Sequence, residues 1–150
     1  MSANLSCDVL IVGLGPAGCR AAAEVAARGL EVMGVDRRRY PGVPVQCAEF
    51  VPALLGQELD TPSAARHQQI TEMATFVEDE PAYYRDDFRG QMIDRAEFDR
   101  QLLTKARARG ADCRFGTVLR SLDAKGVALL SDGARVTARV CLLYTSDAAD

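Results

Sequence analysis

The expected fold follows from Asp8-Val9-Leu10-Ile11-Val12-Gly13-Leu14-Gly15-Pro16-Ala17-Gly18. Asp8 to Val12 is a short apolar, β-branched run, the pattern of a strand buried on both faces. It meets a Gly-x-Gly-x-x-Gly loop, and a helix is expected from about Pro16 to Arg28. Proline suits the first turn, where its missing N–H costs nothing, and Gly29 can take the left-handed position past the helix end. The alanines at 17, 21, 22, 23, 26 and 27 let such a helix lie close on a sheet. Glu31 to Val35 reads as a second strand ending at Asp36, which completes a βαβ unit of the α/β class.

Each glycine of the loop has a separate physical task. Gly13 allows the tight turn out of the strand. Gly15 lets the backbone approach a pyrophosphate with no side chain in between, and Gly18 allows close packing of helix on strand. The helix N-terminus offers N–H donors and a partial positive charge to the anion, so Gly13, Gly15, Pro16, Ala17 and Gly18 are the candidate phosphate cradle. A merely structural glycine turn is the plain alternative, and the strand–loop–helix context argues against it. Asp36 lies 18 residues after Gly18 at a strand end, where a carboxylate can accept hydrogen bonds from an adenosine ribose. That position favours a free 2′-hydroxyl over a 2′-phosphate, because two anions repel. Arg37, Arg38 and Arg39 leave two readings open: one of them, with Arg37 first in line, along the adenine or a phosphate, or a solvated charge run.

The 150 residues, 48% of them hydrophobic, suffice for one domain with a proper core. A net charge of −3 gives no broad field for nucleic acid. No apolar run approaches membrane-spanning length and no charged-then-apolar leader precedes Cys7, so a cytoplasmic location is expected. The five cysteines (Cys7, Cys19, Cys47, Cys113, Cys141) lack CxxC spacing and read as thiols, mostly buried. His67, the single histidine, has no ligand partners in sequence, and no metal site is expected.

From Arg37 to Gly90 the pattern is irregular and holds five of the six prolines. Loops are expected here, including one at Thr61-Pro62, with a short helix near Val51–Leu55 and a strand pair around Ile70–Val77 and Ala82–Tyr84. Regular signals return at Asp94 and Glu97, which have the spacing of a capping box, followed by Phe98, Leu102 and Ala106 at helical intervals. That helix should end at Gly110. Three strand-like runs follow, Cys113–Leu122, Gly126–Leu130 and Arg135–Val140, with Asp132-Gly133 as a tight-hairpin signal. The expected whole is a Rossmann-like dinucleotide domain with an irregular excursion and a β-meander. Arg95 adds a physical point: a cation in a helix's first turn opposes the dipole by about a few tenths of a kcal/mol, and a bound anion would reverse that sign. Pairing with Glu97 or Asp99 in solvent is the alternative.

No further βα repeat follows Asp36, unlike the usual nicotinamide dehydrogenase. The glycine loop at the extreme N-terminus, the excursion, the helix Arg95–Leu102 and the meander together resemble the flavoprotein group of p-hydroxybenzoate hydroxylase and geranylgeranyl reductase. Within it, Gly42-Val43-Pro44-Val45-Gln46-Cys47-Ala48-Glu49 resembles the geranylgeranyl reductase family, which includes archaeal digeranylgeranylglycerophospholipid reductases. The resemblance spans about residues 7–140. It implies FAD as cofactor, held by the Gly13–Gly18 loop, Asp36, the Cys47–Ala48 backbone, Arg95 and the strand around Leu119. It further implies NADH or NADPH as electron donor and an isoprenoid, lipid-like substrate whose C=C bonds are reduced, with peripheral association of the full-length enzyme at a membrane. Catalytic residues are not assigned. Rival readings are an FAD-dependent aromatic monooxygenase and a truncated, non-catalytic dinucleotide-binding module. One departure stands out: where the family usually has glycine after Cys-Ala-Glu, this chain has Phe50, which bears on the flavin cavity.

The last ten residues, Cys141 to Asp150, resemble the peptide that one frame of a common transposase sequencing adapter encodes. Residues 1–140 are then the N-terminal part of an FAD-binding domain and 141–150 an artefact, the alternative being a native strand running into a loop. The later Gly-Asp segment that meets the flavin end in related flavoproteins would lie beyond the cut. Amplification of the locus from source DNA should give a different sequence after Val140. Recovery of Tyr144-Thr145-Ser146-Asp147-Ala148-Ala149-Asp150 from that independent template would refute the adapter origin.

Overall fold

The computed structural model of the protein describes residues 3–58 and 63–143; Thr61-Pro62 and the end of the adapter-like peptide lie outside them. The chain forms two compact units, one from the residues up to Val43 with those from Asp99 onward, the other from Pro44–Phe98.

The first unit opens with β1 (Asn4–Val12), α1 (Pro16–Ala26) and β2 (Val32–Asp36). β1 and β2 are parallel, with Val9 beside Val32 and Val12 beside Val35. α1 stops two residues short of the expected Arg28. Ala27, Arg28 and Gly29 then close the end with N–H bonds to Ala23, Val25 and Ala26 carbonyls, Gly29 at φ +78°.

The second unit carries β3 (Phe50–Pro52), α2 (Ala53–Glu58), a 3₁₀ turn at Ser63–Ala65, β4 (Arg66–Ile70), β5 (Met73–Thr75), β6 (Tyr83–Arg85) and β7 (Gly90–Ile93). The expected strand pair exists as the antiparallel ribbon β5–β6, with Ala74 opposite Tyr84. The expected short helix is displaced from Val51–Leu55 to Ala53–Glu58, because Phe50–Pro52 pair with Gly90–Met92 instead. The region read as loops therefore also contains an antiparallel sheet in the order β3-β7-β4. β4 reads Arg-His-Gln-Gln-Ile and is exposed along nearly its whole length, so it offers no two-residue hydrophobic alternation.

Helix α3 (Arg95–Ala108) starts in the second unit and ends in the first, where Gly110 at φ +98° turns the chain. Asp94 Oδ1 accepts the Glu97 N–H at 2.8 Å, one half of the capping box. The other half is replaced, since the Asp94 N–H goes to the Ala65 carbonyl at 2.9 Å. Then come β8 (Asp112–Phe115), β9 (Leu119–Leu122), β10 (Val127–Leu130) and β11 (Arg135–Leu143).

The single strand expected over Cys113–Leu122 is two strands at opposite edges of one sheet, ordered β8-β2-β1-β11-β10-β9. Gly116, at φ +69°, makes the break, and the Gly116 and Thr117 N–H groups bond back to the Arg38 and Asp36 carbonyls at 2.7 and 2.9 Å. β8 runs parallel to β2, with Met33 beside Asp112 and Asp36 beside Phe115. β1-α1-β2 and α3-β8 thus form a parallel core with both helices in one core cluster, and the chain between β2 and α3 carries the residues of the second unit. On the other side β11 lies parallel to β1, Asn4 beside Arg135 through Val12 beside Leu143. The strand continues past Val140 through Cys141–Leu143. β9, β10 and β11 are the expected meander, and the Asp132-Gly133 turn closes it, Oδ1 of Asp132 accepting the Ala134 N–H.

Alternation along the strands divides the core. Ile11 and Val32 join Cys19, Ala22, Ala26, Leu103 and Ala106 of the two helices, whereas Leu10, Met33 and Val35 join Ala128, Leu130 and Val136 of the meander. Among the described residues no helix is long and apolar enough to cross a membrane.

Phe50 has a packing role in the second unit. Its ring stacks on Phe88 with centroids 5.0 Å apart and lies where a Cβ on Gly90 would stand, a position that is also 2.6 Å from the Val51 carbonyl oxygen. Gly90→Ala is therefore overpacked and should cost about 1–3 kcal/mol in denaturant unfolding. Combining it with Phe50→Ala should restore part of that loss; additive losses would show that the ring and the missing Cβ do not compete.

Candidate dinucleotide-binding site

The glycine loop is held from behind by its second residue. Leu14 is 1% exposed, with its side chain in the helix-side core cluster. Its N–H donates to Oδ2 of Asp36 at 2.8 Å, and its carbonyl accepts the Cys19 thiol at 3.3 Å. Gly13 donates to the Val35 carbonyl at 2.8 Å, so the loop leaves β1 still attached to β2. Gly34 in β2 makes room for Leu14, since a Cβ there would come within 2.6 Å of a Leu14 methyl.

The three loop glycines divide the tasks that their spacing assigns. Gly13 sits at φ +102°, where side chains are strained. A Cβ on Gly18 would collide with the Gly13 carbonyl, whereas a Cβ on Gly15 would meet nothing within 4 Å. Open space at Gly15 is what close approach of a ligand requires. Gly15 is also the N-cap of α1 and brings no capping side chain, while the first turn, opened by Pro16 and Ala17, contains no acidic residue. The first-turn N–H groups are thus left to an outside acceptor, and the first turn sets no carboxylate of its own against the helix's positive end. These residues fit a dinucleotide pyrophosphate.

Asp36 is nearly buried, and each oxygen holds a backbone amide: Oδ2 that of Leu14, Oδ1 that of Arg38 at 2.8 Å. A carboxylate oxygen accepts more than one bond, so capacity for a ribose hydroxyl remains. The carboxylate is at the same time a brace between the loop and the end of β2. Arg37 and Arg39 are exposed, and Arg38 is anchored through both its N–H and its carbonyl. Leu119, the first residue of β9, is half-buried against the meander-side cluster.

The remaining predicted residues belong to the second unit. Cys47 and Ala48 are exposed and lie outside regular structure. They are joined to the start of α3 through Glu49, whose Oε1 accepts the Arg95 N–H at 2.9 Å. The first turn of α3 thus already has Glu49 and Asp94 as carboxylate acceptors, which offsets the unfavourable placing of the Arg95 cation. The structure brings together Gly13–Gly18 with Asp36, and separately Cys47–Ala48 with Arg95.

Four contributors escaped sequence reasoning: Leu14, Cys19, Gly34 and Glu49. Cys19 stands one turn into α1, a position from which a thiol can reach back to the loop. Burial, reinforced by Cys113, Asp99 and Asp36, pushes its pKa up to about 12, so the thiol keeps its proton and remains a donor. Burial likewise raises Cys7, Cys113 and Cys141, and only Cys47 is exposed. Among the described residues no group of His, Cys, Asp or Glu could hold a metal ion.

A sheet with the parallel core β8-β2-β1-β11, a glycine loop opening α1 and a carboxylate at the end of β2 define a Rossmann-type fold, the fold of dinucleotide-binding domains. The chain belongs to the lycopene cyclase protein family, whose profile matches residues 8–148. It is 32% identical over 151 residues to the digeranylgeranylglycerophospholipid reductase of Methanosphaerula palustris, covering 93% of this chain and 38% of that protein. The resemblance drawn from Gly42–Glu49 is thus met by relatives of that name. A geranylgeranyl bacteriochlorophyll reductase-like protein from Thermoplasma acidophilum has the same fold, with TM-score 0.81 at 21% identity over 93% of this chain and 39% of its own. So does the halogenase PltM in complex with phloroglucinol and FAD, with TM-score 0.71 at 20% identity over 95% and 35%. The chain spans 38% of the length of the first of these relatives.

The brace at Asp36 separates two effects that a ribose ligand alone would not. Asp36→Ala in the full-length protein should lower adenine-nucleotide affinity and also unfolding free energy, each by about 1–3 kcal/mol. Isothermal titration and denaturant melts report the two. An unchanged melt would show that the Leu14 and Arg38 amides do not depend on the carboxylate.

Proposed function

We propose that the full-length protein is an FAD-dependent oxidoreductase that saturates C=C bonds of an isoprenoid chain. The observation that carries the FAD reading is the pre-organised cradle at α1: open space over Gly15, no capping side chain, no first-turn acid, and Asp36 behind it. In this reading the α1 N–H groups hold the pyrophosphate and Asp36 accepts a ribose hydroxyl. Arg95, the Cys47–Ala48 backbone and the strand at Leu119 serve the rest of the cofactor, and Arg37 lies along a phosphate or the adenine. Bound flavin supplies the two-electron chemistry, with NADH or NADPH as donor. The substrate class rests on the names of relatives, the digeranylgeranylglycerophospholipid reductase above all. An isoprenoid lipid partner would bring the enzyme to a membrane surface as a peripheral protein.

The full-length protein should purify with bound flavin absorbance, lose that absorbance with NADH or NADPH under anaerobic conditions, and regain it on addition of a geranylgeranyl lipid. Mass spectrometry of the lipid should show one pair of hydrogens gained per bond reduced. Oxygen consumption with a hydroxylated aromatic product, or an isoprenoid changed without gain of mass, would overturn the reductase reading in favour of a monooxygenase or a cyclase.

A further inference from the structure

Glu49 is one of two non-glycine residues at positive φ among the described residues, at +58°. L-residues avoid that region because Cβ crowds the carbonyl, so the conformation persists only where surrounding bonds over-determine it. Here three converge. The Glu49 carbonyl accepts the Ile93 N–H at 2.8 Å, its Oε1 accepts the Arg95 N–H at 2.9 Å, and its own N–H donates to Cys47 Sγ at 3.3 Å. The bonds reach the end of β7, the start of α3 and the exposed dipeptide just upstream, all within the second unit.

Neither a bare turn nor a bare helix cap explains a glutamate here. Glycine would adopt the same φ without strain, and α3 already has Asp94 as a cap for the Glu97 N–H. What glutamate adds is the tie, across 46 positions of sequence, between the residue after Cys47-Ala48 and the first residue of α3. We propose that Glu49 is a positioning residue, which fixes the exposed Cys47–Ala48 backbone against β7 and the α3 start so that it is presented to a cofactor. That the cofactor is FAD rests on the functional reading above; the placement of the dipeptide by Glu49 does not.

The test uses the full-length protein, with Glu49→Gln, Glu49→Ala and Glu49→Gly variants. Hydrogen exchange is followed on the flavin-free protein, and FAD affinity is measured separately. Gln keeps the Oε1 acceptor and should stay near the parent in both. Ala loses the acceptor and keeps the strain, while Gly relieves the strain and loses the acceptor. Both should speed exchange across Gln46–Phe50 and at Arg95 by about tenfold and weaken FAD binding by about tenfold, with circular dichroism unchanged. Parental exchange in the Ala and Gly variants, or a Gln variant as impaired as Ala, would overturn the proposal. Faster exchange with unchanged FAD affinity would keep Glu49 as the anchor of the dipeptide and overturn the placing of FAD against it.

Discussion

The bond from the Leu14 N–H to Asp36 is the constraint on which the binding end of the first unit depends. A glycine loop is useful to a ligand only if it is already in place, because ordering it on binding would consume affinity. Glycines cannot order themselves. This loop is ordered by the one residue in it with a sizeable side chain: Leu14 is buried, and both its backbone groups are engaged by side chains from β2 and α1. The uncapped first turn of α1 is thereby held in place from a buried residue behind it.

The second organising feature is the place of the insertion. Residues 44–98 leave the sheet after β2 and return through α3, so the parallel strands β8, β2 and β1 stay adjacent despite a long interruption. Arg38 and Asp36 make this tolerable: their carbonyls take the Gly116 and Thr117 N–H groups, extending the β2–β8 register beyond the strands themselves. The ends of β2 and β8 are thus fastened to each other independently of what is inserted between β2 and α3.

How much of this was legible varied with the kind of signal. β1, α1, β2, the turn at Gly13 and the close packing at Gly18 were legible because each rests on local chemistry: a β-branched run, a proline in the first turn, glycines at fixed spacing. The Asp132-Gly133 hairpin was legible for the same reason. The split of Cys113–Leu122 was not, because whether Gly116 bends a strand or breaks it depends on the carbonyls of Asp36 and Arg38, about 80 positions away. β4 was illegible because its residues are polar on both faces, and β3 because Pro52 and a short length hide its pairing with β7. Spacing from Gly18 singles out Asp36 as a strand-end carboxylate, but its bracing role is not legible, since a carboxylate's partners are set by tertiary packing. Leu14 and Gly34 read as ordinary residues until the contact between them is seen.

The pairing of β1 with β11 has a consequence for how the chain is made. These strands are the earliest and latest of the described elements, and Asn4 lies beside Arg135. During translation β1, α1 and β2 emerge first and can associate, but the other edge of β1 stays open until β11 leaves the ribosome. At common elongation rates that interval is roughly 6–25 s, long compared with the time a βαβ unit needs to collapse. Throughout it, a strand of Val, Leu and Ile presents unpaired N–H and C=O groups, an invitation to mispair with neighbouring nascent chains. Closure by so remote a strand leaves that edge of β1 unpaired through most of the synthesis of the described chain.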